Sequence, residues 1–278
     1  MKILAIGDFH GKFPEKLKRE AEKVDVILSP GDFANADKIR KLIFKHWTDK
    51  KWFEVVGLRK ARALEKESFN SGLDVLKGLN KIGKKFYFVW GNTDFYKDAS
   101  IKDDISPGEY NDNIRKMENV ISVDRRKKKI YGLEIVGHGG YVDVTQYIKD
   151  RMDADEKRHK ERLKRYNKTK EKLFDIFDNK PDKDFIFLIH YSPYGVFDKV
   201  KYKGSPMNGK HVGFEPYNRI IKKYKPLLVI SGHMHEYQGV KKMGRSLIVN
   251  PGPAFEGKAA VIDVDEENKK IKSVRFVR

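Results

Sequence analysis

KILAIGDFH, running from Lys2 to His10, is a short apolar run that breaks at a glycine and passes directly into an acid and an imidazole. Ile3 to Ile6 has the length of a buried parallel strand and is too short for a typical helix, so Asp8 and His10 fall on the loop beyond it. The same pairing recurs along the chain. Val26 to Leu28 leads to PGD with Asp32, and Phe86 to Trp90 leads to GNTD with Asn92 and Asp94. Phe185 to Ile189 runs into LIHYSP with His190, and Leu227 to Ile230 leads to SGHMH with His233 and His235. In an α/β protein, crevices form at the carboxyl ends of the strands, so side chains scattered over the whole chain converge on one pocket.

The converging groups are carboxylates, imidazoles and an amide oxygen, a set that suits divalent ions of intermediate hardness such as manganese, iron, zinc or nickel. In DFH and HMH the two candidate ligands flank one residue, and an extended segment places residues i and i+2 on the same side, so each pair can reach one ion. A carboxylate has two oxygens and can bridge two ions. Asp32, just after Gly31, is placed to do so without steric hindrance.

In their order these clusters resemble the blocks DxH, GD, GNH(D/E), H and GHxH of the calcineurin-like metallophosphoesterases. The match spans positions 8 to 235. One block alone is a weak signal, whereas five in order at five strand ends is a specific one. The resemblance implies an α/β fold, a four-layer sandwich of two mixed β-sheets flanked by helices. It also implies that Asp8, His10 and His235 hold one metal, that Asn92, His190 and His233 hold a second, and that Asp32 bridges them. The activity it implies is hydrolysis of a phosphoester by attack of a metal-bridging hydroxide.

The third block departs from the family: Thr93 stands where most members carry the histidine that protonates the leaving group. Threonine cannot act as a general acid near neutral pH, and losing such a group costs about 10² to 10⁴ in rate. A phosphodiester with a good leaving group is therefore the favoured substrate, with Asn92 and Thr93 lining its place. His138, in VGHGG, is a candidate substitute acid, the alternative being a loop histidine bonded to backbone. Asp94 is expected to orient its neighbours at the catalytic centre.

Two further readings stay open. One is a nuclease acting on DNA or RNA, suggested by a formal charge of +19 and a pI near 9.7, which favour polyanions. The other is a weakly active metal-binding scaffold of the same fold. No reading module for nucleic acid is present, so such contact would rest on backbone charge. The five consecutive basic residues from Arg125 to Lys129 read as a solvated turn ahead of a strand beginning at Ile130.

The 278 residues are read as one domain, 1–278, because the last cluster lies near the C-terminus and the site needs both halves. No apolar run approaches the roughly 18 residues of a membrane span, and the chain opens on a strand rather than a leader, so a cytoplasmic location is expected. The absence of cysteine excludes a disulfide scaffold and thiol catalysis. The 36% of charged residues, dominated by Lys and Glu, suits a thermophilic source. Nothing in the sequence sets the oligomeric state.

Between the clusters, Glu15 to Lys23 reads as a helix with Leu17, Ala21 and Val24 on one face. The long connection after Asp32 carries Trp47, Trp52 and Phe53, read as parts of a buried helix pair rather than a lid. A charged helical insertion spans about 150–178, its second half apolar enough to pack on the body. Ser246 to Val249, Lys258 to Val264 and Ile271 to Val277 read as strands completing the second sheet, interrupted by NPGP. NGKHVG, Asn208 to Gly213, precedes a helix whose free N–H groups could meet a phosphate, with His211 touching substrate; an ordinary polar turn is the alternative. His46 and His159 belong to no cluster and read as surface residues.

Overall fold

The computed structural model describes residues 1–46, 51–94, 107–143 and 156–278. In chain order its elements are β1 (Lys2–Ala5), α1 (Glu15–Glu22), β2 (Val26–Ser29), α2 (Asp37–Lys45), α3 (Trp52–Val56), α4 (Leu58–Lys81), β3 (Lys85–Phe88), α5 (Pro107–Arg115), β4 (Val120–Ser122) and β5 (Lys127–Ile130). There follow β6 (Leu133–His138), α6 (Glu156–Ile176), β7 (Ile186–Ile189), α7 (Glu215–Tyr224), β8 (Leu228–Ile230), β9 (Gly239–Met243), β10 (Ser246–Asn250), β11 (Ala259–Asp265) and β12 (Lys270–Val277). Trp47 and the first residues of the expected insertion, 150–155, lie outside the described residues.

The strands form two six-stranded mixed sheets, ordered β12-β11-β1-β2-β3-β4 and β5-β6-β7-β8-β10-β9. Each has a parallel centre: β1, β2, β3 and β4 in the first, β6, β7, β8 and β10 in the second. The central strands are continuous apolar runs because both faces are covered. Ile3, Ala5, Val26 and Leu28 meet Ile135, Ile186, Leu188 and Ile230 in a core between the sheets. The alternate residues Leu4, Ile6, Ile27 and Phe86 pack on Leu17 and Ala21 of α1, Val75 and Leu76 of α4, and Tyr110 of α5. Val136, Phe185, Phe187 and Val229 pack on Tyr166 and Leu173 of α6 and Tyr217 and Ile220 of α7. The result is the expected sandwich of helices, sheet, sheet and helices.

Two strand expectations need correction. β10 joins the second sheet, but β11 and β12 do not: β11 pairs antiparallel with β1, from Lys2↔Asp263 to Ala5↔Ala260, and β12 extends the first sheet. The turn-rich NPGP is followed by a single 3₁₀ turn at Ala254–Glu256, beyond which the chain runs in the other sheet. There Ala260, Ile262 and Val264 enter the core between the sheets. The basic run is also less of a turn than expected, since β5 begins at Lys127. Among the described residues β5 is an edge strand bonded to β6 alone, so it can expose Lys128 and Lys129, which also discourage pairing with another chain.

Trp52 and Phe53 are buried with Ile39 and Ala61, uniting α2, α3 and α4, as the buried-helix reading holds. In α6, Tyr166 and Leu173 reach the core whereas Leu163 is exposed. No described helix is long and apolar enough to cross a membrane.

Candidate metal centre

The polar clusters meet where the carboxyl ends of β1, β2, β3, β7 and β8 face one another across the two sheets. The backbone there is unusual: Asp8, His10, Asp32 and His233 all have positive φ, from 44° to 68°. Such conformations cost energy for residues with a Cβ and persist only where the surroundings fix them. Glycines make room for the loops to converge. A Cβ at Gly91 would lie 2.0 Å from Asp32 Oδ1, and one at Gly31, where φ is +98°, 2.3 Å from the Gly91 nitrogen. Behind the site, Phe33 stacks on Phe9 at 5.5 Å and presents edges to Phe88 and Trp90, so the residues beside Asp8, Asp32 and Asn92 share one aromatic box.

Two groups of side chains have ligand atoms that all lie within 4.8 Å of one another: Asp8, His10, Asp32 and His235 form one, and Asp32, His190 and His233 the other. Asp32 belongs to both. Its Oδ2 is 3.6 Å from His10 Nε2, its Oδ1 is 3.6 Å from His190 Nε2, and the Thr93 N–H donates to Oδ1 at 2.9 Å. Asn92 completes the second group, its Oδ1 lying 2.7 Å from both His190 Nε2 and His233 Nδ1. Asp8 accepts the His233 backbone N–H at 3.1 Å and lies 3.6 Å from His235 Nε2.

Ring tautomers decide what this cluster can bind. His190 Nδ1 donates to the Pro30 carbonyl at 2.8 Å, so in the neutral ring Nε2 is a bare lone pair aimed at the oxygens of Asn92 and Asp32. His10 Nδ1 faces Asp37 Oδ1 at 3.3 Å, which in the neutral ring leaves Nε2 as a second inward lone pair. The buried Nε2 atoms of His10 and His235 make no hydrogen bond. In their neutral forms these rings converge lone pairs on carboxylate and amide oxygens, which fits a cation, and the mixed carboxylate, imidazole and amide set fits a divalent one.

The electrostatics agree. Burial disfavours charge on His10, yet the neighbouring carboxylates of Asp32 and Asp37 outweigh it and lift the ring's pKa to about 9. Burial would likewise raise Asp32, but the charges of His190 and His10 hold it well below the usual carboxylate range. Asp8 is lowered for the same reason, against its burial, by His235. A field that lifts the proton affinity of an imidazole attracts metal cations as well. His233, by contrast, is pushed down to about 3 by burial and by His190, so it is neutral, the form that ligates metals.

Three further sequence-derived candidates are buried side chains. Asp94 faces no open space: its carboxylate accepts four buried backbone N–H groups, from Asp32, Phe33, Ala34 and Gly91, at 2.6 to 3.1 Å. It therefore positions the Asp32 loop. Thr93 is spent structurally too, its hydroxyl donating to the Ala34 carbonyl at 3.2 Å, which does not fit a substrate contact. His138 does not fit the acid role. It shares a face with Val136 toward the helices, stacks on Phe214, and meets Tyr217 Oη at 2.7 Å. Full burial and the Arg125 charge hold its pKa near 3, so it carries no imidazolium proton to give.

The NGKHVG loop is not an anion nest. Gly209, Lys210, Val212, Gly213 and Phe214 all donate their N–H groups within the protein, Gly213 to Asp198. His211 is half-exposed, its Nδ1 2.7 Å from Asp198 Oδ1. NPGP does sit beside the site: Ala254 N–H donates to the Gly7 carbonyl, and the Phe255 ring lies 5.4 Å from both His10 and His235. Sequence reasoning missed Asp37 and Asp198. Neither lies in a recognisable block, and only an acid in the first turn of α2 hinted at the former.

The calcineurin-like phosphoesterase family model matches residues 1–237. The uncharacterized protein MJ1162 of Methanocaldococcus jannaschii is 21% identical over 280 residues, covering 96% of this chain and 97% of its own. One solved structure superposes over 100% of this chain and 99% of its own at 19% identity and a TM-score of 0.69, a likeness of fold. The protein TT1561 of Thermus thermophilus aligns more loosely, at 20% identity and a TM-score of 0.49, over 100% of this chain and 99% of its own. With the family's pattern matched over most of its length and a buried Asp/His cluster able to bind metal, the chain belongs to the calcineurin-like phosphoesterases.

Proposed function

We propose that this chain is a two-metal hydrolase of phosphoesters, with phosphodiesters preferred, acting as one functional unit over residues 1–278. The observation that carries the reading is the sharing of Asp32 by two buried ligand groups. Asp8, His10, Asp32 and His235 would hold one divalent ion, and Asp32, Asn92, His190 and His233 the other. When bound, such ions bring the pKa of water toward neutrality and offset the charge developing on phosphorus.

The chain's own residues set the geometry for that chemistry. Asp37 and the Pro30 carbonyl fix the ring orientations of His10 and His190. Asp94 fixes Asp32 through the backbone. Asn92 contributes a neutral oxygen, which adds no negative charge to oppose the phosphate. Without an imidazole at position 93, esters whose leaving group departs unaided are favoured, which is the argument for activated diesters over poorly activated monoesters. The formal charge of +19 suits an extended anionic diester, nucleic acid included.

The test is a metal count. Stripped protein titrated with manganese or zinc is expected to take up about two ions per chain, and Asp37→Ala is expected to weaken uptake by about 10- to 100-fold, the usual cost of losing the carboxylate behind a ligating histidine. A single ion per chain would remove the bridging role of Asp32.

A further inference from the structure

Loop 191–213, between β7 and α7, holds a second histidine–carboxylate pair that metal binding does not use. Asp198 is buried, and its Oδ2 accepts the N–H groups of Gly195 at 2.9 Å and Gly213 at 3.1 Å. Its remaining oxygen, Oδ1, receives the Nδ1–H of His211 at 2.7 Å. The backbone locks the pair as well: Lys199 and His211 form an antiparallel bridge, and Val212 N–H donates to the Asp198 carbonyl at 3.0 Å. Two backbone amides hold the carboxylate, the carboxylate holds Nδ1 of the ring, and Nε2 is left uncommitted on a half-exposed side chain. A fixed imidazole with one nitrogen committed and the other open is the arrangement of a proton-transfer group.

The pair lies on the loop that follows directly from His190 of the metal centre. The chain reaches it directly from His190, past Tyr191, whose ring lies 4.0 Å from that of His233. Tyr194 then packs 5.7 Å from the His211 ring. From the other side, Tyr237, two residues beyond His235, donates its hydroxyl to the Lys199 carbonyl at 2.8 Å, and Glu236 accepts the Lys201 N–H at 3.0 Å. The hairpin that carries His211 is thus tied to both histidine-bearing loops of the second sheet, while Thr93 leaves the leaving-group position without an acid.

We propose that His211, positioned by Asp198, delivers the proton to the departing oxygen in phosphoester hydrolysis. The inference rests on the phosphoesterase reading above. In the step, an oxygen from water bonds to phosphorus and the bond from phosphorus to the leaving oxygen breaks. That oxygen keeps the electron pair and takes the proton from Nε2 of protonated His211. The attacking water releases one proton to solvent, and the imidazole regains one from solvent, so the cycle closes. Asp198 balances the charge of the ring before transfer and keeps Nδ1 protonated after it.

The test compares kcat/KM of wild type and His211→Gln on aryl phosphodiesters that differ only in leaving group, from p-nitrophenol to unsubstituted phenol. Because the side chain is half-exposed, the variant is expected to fold normally. The expected loss is at most about threefold with p-nitrophenol, which needs no acid, and about 10² to 10⁴-fold with phenol. Added imidazole is expected to restore part of the phenol-ester activity of His211→Ala and none of the p-nitrophenyl activity. An equal loss across the series, or no loss, overturns the assignment even if wild type is active throughout. A wild type that cleaves no member of the series overturns the phosphoesterase reading itself.

Discussion

Asp32→Asn is expected to lower diester hydrolysis by about 10³-fold or more and to strip the protein of both ions, because stabilisation of several kcal/mol depends on them. The substitution is nearly isosteric, so the loop should survive it. One oxygen of the shared carboxylate, however, becomes an NH₂ that donates where both ligand groups require an acceptor. Activity and metal content measured on one preparation check this. A variant that keeps both ions and turns over normally would remove Asp32 from the mechanism.

Asp94→Ala is expected to destabilise the fold by about 3 to 5 kcal/mol, among the largest single-residue effects in the chain. It strands four buried backbone N–H groups, each costing about 1 to 3 kcal/mol when left unpaired, less whatever water entering the cavity recovers. Burial and the nearby Asp32 raise the Asp94 pKa to about 6, while the same amides act against that rise, so the group is held by backbone rather than by a counter-ion. Denaturant unfolding measures the cost. A variant within about 1 kcal/mol of wild type would mean that the loop is held by its aromatic box instead.

The positions that meet at the centre were legible because each follows a short apolar run, and a parallel sheet puts such positions on one edge. Asp8, Asp32, Asn92, His190 and His235 needed no knowledge of register for that. His138 did. β6 pairs Val136 with Phe187 and His138 with Ile189, so His138 is level with a residue facing the helices, one short of His190. A strand-end histidine reads the same in sequence whichever face it takes.

β11 and β12 went to the other sheet for a similar reason. Strand patterns define a face and a length but not a partner, and the partner here is the first strand of the chain. The role of Asp198 was hidden because one of its oxygens is spent on backbone amides, contacts that leave no trace in residue spacing. His211 was visible as a histidine near glycines, but the amides expected to receive a phosphate turned out to be bonded internally, and its buried acid partner emerged only in three dimensions.

The central claim, a metal-dependent phosphodiesterase built on these seven side chains, is tested most directly by hydrolysis of bis(p-nitrophenyl) phosphate and p-nitrophenyl phosphate by metal-stripped protein. Manganese, nickel, zinc and iron are added back separately, with His233→Ala as control. The account predicts no turnover without metal, restored cleavage with at least one ion, faster reaction of the diester than of the monoester, and loss of activity in the control. Diester cleavage that persists in stripped protein, or in metal-loaded His233→Ala at the wild-type rate, would contradict it.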